Sequence, residues 1–402
     1  VKLGAAGLPF RVLTLFAAAG ALALSDPAHL LGSIRRFRRI LLLILFAALL
    51  GTLVSLVAGT PGGTIAAQLV EIHVQAAIGV LVAGTLALRL GIRAVILALL
   101  AGFATTAIVA AGQALGLDPA WDLRAVMGNL TNDPPITRLF YELRERPMGM
   151  SHSPVIFAQQ AILMLALLLL PLLTRSGGGS RFSWLVPISC VAIAIFCIAT
   201  GNRSPLLGMV IFLATYLAFT LPRTSLVLLP LLGALAFFAE PVLEDVRDTG
   251  VRAVRADSSS ENRGTLRQFG IRLIADRLVG YGFDFESTRY GDAHISALKY
   301  ESSPGAVRLW ALHNYYLLAL CKYGLFILLM IPWIIPRTGP QLRAWWAFLP
   351  YIIHIFFHND GPLSSDFIFF FVLPIAMMLT SAPDEARHER RTRRRSLRRA
   401  AA

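Results

Sequence analysis

Long apolar runs separated by short polar breaks set the pattern of this chain. A run of about 20 apolar residues is the length a helix needs to cross a bilayer. Inside lipid, only helices and closed barrels satisfy every backbone polar group. The repetition therefore predicts an all-α, polytopic membrane bundle of 11–12 helices. Spans are expected at 5–24, 40–58, 68–90, 92–116, 152–173, 184–200, 204–221, 224–240, 311–336, 343–358 and 364–382. The organisation that follows is a first set of eight spans over 1–240 with a polar segment at 117–151, a large loop carrying short helices at 241–310, C-terminal spans over 311–382, and a polar tail at 383–402. Within the large loop, Ser258-Ser259-Ser260-Glu261 reads as a capping box, in which the hydroxyl and the Glu satisfy free N–H groups at a helix start. The helix it opens carries Arg263 and Arg267, four apart and so on one face. Gly280-Tyr281-Gly282 supplies the residues that end it.

Composition narrows the class. Hydrophobic residues make up 56% and charged residues 15% of the chain, against about 25% charged in soluble domains. The formal net charge is +14, much of it in the tail from Arg387 to Arg399. A basic run of this kind suits a cytoplasmic anchor, and no nucleic-acid partner is expected. With the tail inside, Arg35-Arg36-Phe37-Arg38-Arg39, Arg89/Arg93, Arg175/Arg181, Arg223 and Arg337/Arg343 also fall inside. The short loops at 59–67 and 359–363 fall outside and carry no Lys or Arg. That alternation follows the positive-inside rule. Eleven spans place Val1 outside; a preceding span, or a 5–24 run that does not cross, restores parity. Cys190, Cys197 and Cys321 all lie in apolar runs, so no disulfide framework is expected.

The same parity gathers the ionisable residues on the outer side: Glu71, His73, Arg146, His152, Arg203, Arg263, His313, His358 and Asp360. Such groups near a bilayer suggest function. No ATP is available there, so a substrate must arrive already activated. His313 sits where an apolar helix begins, and a helix N-terminus disfavours the imidazolium and keeps the ring ready to accept a proton. Asn314 beside it can cap the helix or bind a polar group. Arg203 stands in a tight turn between spans, where it either grips a phosphate bidentately or anchors at the interface. Arg263 and Arg267 have the alternative of a solvated helix face, and His152, in Arg146-Pro147-Met148-Gly149-Met150-Ser151-His152-Ser153-Pro154, that of a structural residue. His354 and His358, with Asp360 close by, lack the third ligand and second shell of a metal site, so no metal and no cofactor is expected. Asp284-Phe285-Glu286 is discounted as an acidic metal motif and Asn129-Leu130-Thr131 as a glycosylation site.

Four motifs occur in order: Arg-Pro-Met-Gly-Met-Ser-His-Ser-Pro from 146, Thr-Gly-Asn-Arg203-Ser, Asn262-Arg263 followed by Gly280-Tyr281-Gly282, and Leu312-His313-Asn314-Tyr315-Tyr316-Leu317 with Gly324. Over about residues 146–330 the chain resembles the O-antigen ligase and polymerase superfamily of bacterial envelope proteins, and most of all the lipopolysaccharide O-antigen ligases. The resemblance implies a multi-pass protein of the inner membrane with its active site facing the periplasm. It implies transfer of an O-antigen glycan from undecaprenyl pyrophosphate to a sugar hydroxyl of lipid A–core, with inversion and without metal. On that pattern His313 is the catalytic base, and Arg203 and Arg263 bind the donor pyrophosphate, with Arg267 the close alternative to Arg263. Arg146, His152 and Asn314 are further substrate contacts. The resemblance leaves open an O-antigen polymerase or a protein O-oligosaccharyltransferase, and a secondary transporter stands as a reading from another class. A departure is Phe269, where many members carry Trp. Of the remaining arginines of the outer segments, Arg124, Arg138, Arg144, Arg247, Arg252, Arg255, Arg272, Arg277, Arg289 and Arg308, those that nearby Asp and Glu do not neutralise are expected to form a basic wall beside His313 for an anionic acceptor.

Overall fold

The computed structural model describes residues 2–3, 8–131, 146–174, 184–220, 257–364 and 368–381. The expected span at 224–240, the basic tail, and Arg138, Arg144, Arg175, Arg181, Arg223, Arg247, Arg252 and Arg255 lie outside them. The regular structure of the described residues is helical apart from a two-residue pairing of Lys2–Leu3 with Leu8–Pro9. The order is α1 (Phe10–Ser25), α2 (Pro27–Val57), α3 (Gly62–Leu90), α4 (Ile92–Ala114), α5 (Asp118–Thr131), α6 (Pro154–Thr174), α7 (Leu185–Ala199), α8 (Arg203–Thr220), α9 (Asp257–Asp276), α10 (Tyr315–Tyr323), α11 (Gly339–Ala347), α12 (Leu349–Phe356) and α13 (Phe369–Ser381). Among the described residues, α2, α3, α4 and α6 are each long and apolar enough to cross a membrane, and the bent pair Tyr315–Tyr323 with Leu325–Ile334 makes a fifth. This is an all-α polytopic bundle.

Helix α6 forms its centre. Phe157, Leu163, Leu165, Leu167 and Leu170 are wholly buried, because this helix is apolar around its whole circumference and has protein on every side. Phe37 of α2, Val80 of α3, Phe212 of α8, Tyr351 of α12 and Val372 of α13 join it in one core. Cys190, Cys197 and Cys321 are buried free thiols.

Three boundaries depart from the expected ones. The second span begins at Pro27, not near 40, so Arg35 to Arg39 lie within a continuous helix of 31 residues. No helix breaker stands between Pro27 and Val57, and Arg is a good helix former. Only Asp26 separates α1 from α2; it caps α2 by accepting from the His29 N–H. The loop helix α9 starts at Asp257, which puts Ser258 to Ser260 in its first turn and not ahead of it as a capping box requires. The expected span 311–336 is broken: its two halves meet at 110°. Gly324 sits at the break with φ +72°, a left-handed value that glycine adopts at little cost. Segment 278–282 of the loop fills the gap, with Tyr281 N–H donating to the Cys321 carbonyl (2.7 Å), Gly282 N–H to that of Lys322 (3.0 Å) and Leu325 N–H to that of Leu278 (2.9 Å). The carbonyls that a helix end leaves unpaired are thus taken up by the loop. That stitches the large loop to the membrane part at this point.

Candidate functional site

Helix α9 lies against α10 through a stripe at helical spacing. Leu266, Phe269 and Leu273 are buried with Leu312 and Cys321 in a second core. Phe269 is completely buried there and packs α9 against α10. Arg263 precedes Leu266 by three residues and continues the stripe toward the start of α10, where His313 stands. Arg267, one residue past Leu266, turns off the stripe and is exposed. It is Arg263, not Arg267, whose charge acts on His313 and His358.

His313 precedes the cap of α10. Asn314 is that cap, its Oδ1 accepting from the Leu317 N–H at 3.1 Å. His313 Nδ1 lies 2.7 Å from the Ala311 carbonyl. A carbonyl only accepts, so Nδ1 carries the proton, and the neutral ring keeps its lone pair on Nε2. Burial holds the imidazole below the ordinary histidine value; Arg263 pushes the same way, while the Ala311 bond and Asp360 pull against it. The positive end of α10, invoked from sequence, would act in the same direction as burial.

Arg203 opens α8. The turn before it depends on Gly201, at φ +65°, and on buried Asn202, whose amide donates to Thr200 Oγ1 (2.9 Å) and to the Pro154 carbonyl (3.1 Å). That last bond joins the Arg203 turn to the start of α6, two residues after half-buried His152. Arg146 donates from Nε to the Thr200 carbonyl at 2.6 Å, which lays its guanidinium along the same turn. Arg203 and Arg263 are close enough for their charges to act on each other. Burial lowers the Arg263 guanidinium from its ordinary value and Arg203 adds to it. Two cations held near one another, with a neutral imidazole beside them, are an arrangement that can hold a compact anion carrying more than one negative charge.

Of the arginines named for a basic wall, Arg138, Arg144, Arg247, Arg252 and Arg255 lie outside the described residues, and the described ones are engaged or exposed. Arg124 is 1% exposed and donates from Nε to the Ser151 carbonyl at 2.6 Å. It is a strut holding the 146–154 segment, together with Gln113, whose Oε1 accepts from Met148 and Gly149 N–H. Arg289 pairs with Asp284 and Glu286, and Arg308 with Asp292. Arg277 lies over the Tyr281 ring. Arg272 is exposed.

Two clusters were not put together from sequence. Ser204, the residue after Arg203, lies between His354 and His358. The two histidines were visible as an i, i+4 pair, but only a metal was considered for them. In the second cluster, Lys322 of α10 lies within electrostatic reach of Glu71 and Asp360. Glu71 and His73 stand on a π-turn, Leu69–Val74, and His73 Nε2 meets the Tyr323 hydroxyl at 3.1 Å. A lysine inside an apolar run was the available signal.

Residues 188–331 match the family model described as O-antigen ligase, which supports membership of the O-antigen ligase/polymerase superfamily. The matched stretch contains Arg203, Arg263, Arg267, His313 and Asn314, and leaves Arg146, His152, His354 and His358 outside it. No curated protein matches the chain.

Proposed function

We propose, from the premise of that superfamily membership, that this protein is an O-antigen ligase. It transfers an O-antigen glycan from undecaprenyl pyrophosphate to a sugar hydroxyl of lipid A–core at the periplasmic face of the inner membrane. The observation that carries the reading is the imidazole of His313, its Nδ1 committed to the Ala311 carbonyl, beside Arg263, which in turn stands near Arg203.

The acceptor hydroxyl attacks the anomeric carbon as its proton passes to His313 Nε2. The bond from that carbon to the phosphate oxygen breaks, and undecaprenyl pyrophosphate leaves with the electron pair. Attack from the face opposite the leaving group inverts the anomeric centre. Arg203 and Arg263 stabilise the charge that develops on the leaving oxygen, which is where fixed cations contribute most. Arg146 is placed along the same turn to add to them. Asn314 acts through its cap, holding the start of α10 and so His313. His152 stands beside the joint between α6 and α8.

The choice of ligase rests on the family description, because Arg124, Arg289 and Arg308 are engaged elsewhere. The test uses purified protein and a fixed lipid-linked donor, with and without lipid A–core. Transfer to lipid A–core, and no chain growth without it, is expected. Lengthening of the lipid-linked glycan in the absence of lipid A–core would make the protein a polymerase.

A further inference from the structure

Ser204 Oγ lies 2.9 Å from His354 Nδ1 and 3.0 Å from His358 Nε2. All three side chains are buried, His354 completely, and the two rings are 4.3 Å apart. A hydroxyl has one proton to give. It therefore donates to one ring, and the other ring must present an N–H to it. The second nitrogen of His354, Nε2, is buried without a hydrogen-bond partner among the described residues. A bare buried acceptor is tolerated more readily than an orphaned buried N–H. His354 thus carries its proton on Nδ1 and donates to Ser204, and Ser204 donates to His358. The chain of bonds has a single direction, and its far end lies near the candidate site: Arg263 and Arg146 both act on His358.

The helices that carry these residues are closely packed. A Cβ on Gly208 of α8 would stand 2.7 Å from Pro350 Cα of α12. The chain of bonds adds direction to this packing at the first turn of α8, next to Arg203. We propose that His354, Ser204 and His358 form a positioning clamp that fixes the start of α8 against α12 and so sets the direction in which Arg203 presents its guanidinium to the anionic substrate. The clamp is not a proton path, because its inner end at His354 is closed. The inference rests on the reading of Arg203 as a ligand of the donor pyrophosphate.

The test is a double-mutant cycle on the full chain in detergent micelles, with undecaprenyl pyrophosphate as probe and thermal unfolding measured in parallel. Arg203→Ala should weaken binding. Ser204→Ala should weaken it about tenfold, the worth of one well-placed hydrogen bond, and the loss should fall on donor KM more than on kcat. Ser204→Thr, which keeps the hydroxyl, should restore most of the affinity. In the Arg203→Ala background, Ser204→Ala should cost nothing further, because residues acting through one another are not additive. If Ser204→Ala does not fold, His354→Met takes its place in the same cycle. Additive losses, or lowered thermal stability with unchanged affinity, would overturn the clamp and leave Arg203 as a ligand. Wild-type affinity in Arg203→Ala would remove the donor assignment itself.

Discussion

His313 donates through Nδ1 to the Ala311 carbonyl, and this bond decides which nitrogen receives a proton. His313→Ala should leave the protein folded and able to bind donor while transfer falls by about 10²–10⁴, the usual worth of a general base; gel analysis of the glycolipid product measures it. The active form of a base is the deprotonated one, so the rate rises with pH through the folded pKa. Burial places that value below the ordinary 6.5, and the acid limb of the rate profile should therefore lie below about pH 6.5. Asp360 raises the His313 value, so Asp360→Asn should move the limb to lower pH; an upward shift would contradict the assignment. Arg263 and Arg267 were indistinguishable by spacing, and burial separates them. Arg263→Ala should raise donor KM at least tenfold, with only partial rescue by Lys, which lacks the planar fork. Arg267→Ala should change it less than twofold, as expected for a solvated charge.

At the scale of the elements, helices were readable and their breaks were not. The apolar period placed the long helices α3, α4 and α6 within a few residues, apart from residues 62–67 of α3, because a helix that faces lipid or protein on every side is a continuous apolar run. It missed the break at Gly324. A glycine within an apolar run does not by itself end a helix; here, the Val279 carbonyl stands where a Cβ on Gly324 would go. Gly324→Ala forces a left-handed residue and a backbone collision at once. It should destabilise the protein by more than about 2 kcal/mol, seen as a lower unfolding temperature in detergent. Because segment 278–282 is bonded to this break, donor use should fall in the same variant.

For the whole molecule, the outer-end residues seen in sequence are joined by contacts between distant segments. Arg146 meets Thr200, Asn202 meets Pro154, Ser204 meets His354 and His358, and Arg263 acts on His313. Among the described residues, no three His, Cys, Asp or Glu side chains are grouped as metal ligands, and His354 and His358 both face Ser204. On the proposed reading, arginine supplies the cations that stabilise the leaving group. Transfer should therefore persist in EDTA and need no nucleotide. Loss in EDTA that a divalent ion restores would return His354, His358 and Asp360 to consideration as ligands.

The sequence by itself determined the solvent of this protein and its class. Hydrophobic runs long enough to cross lipid leave the backbone no choice but helix, and short ordered motifs carried the family. It also put His313, Arg203 and Arg263 forward as candidates, because ionisable residues beside apolar runs suggest function. Tertiary structure alone decided which arginine of the pair acts on His313, since this depends on how α9 rolls onto α10 through Phe269. It decided that Arg124 is a strut and not part of a substrate wall, because burial is set by neighbours distant in sequence. It decided the tautomer of His313, through a carbonyl two residues away, whose direction only the folded backbone fixes. It also brought Ser204 between two histidines about 150 residues further on, a distance over which no local period in the chain carries information.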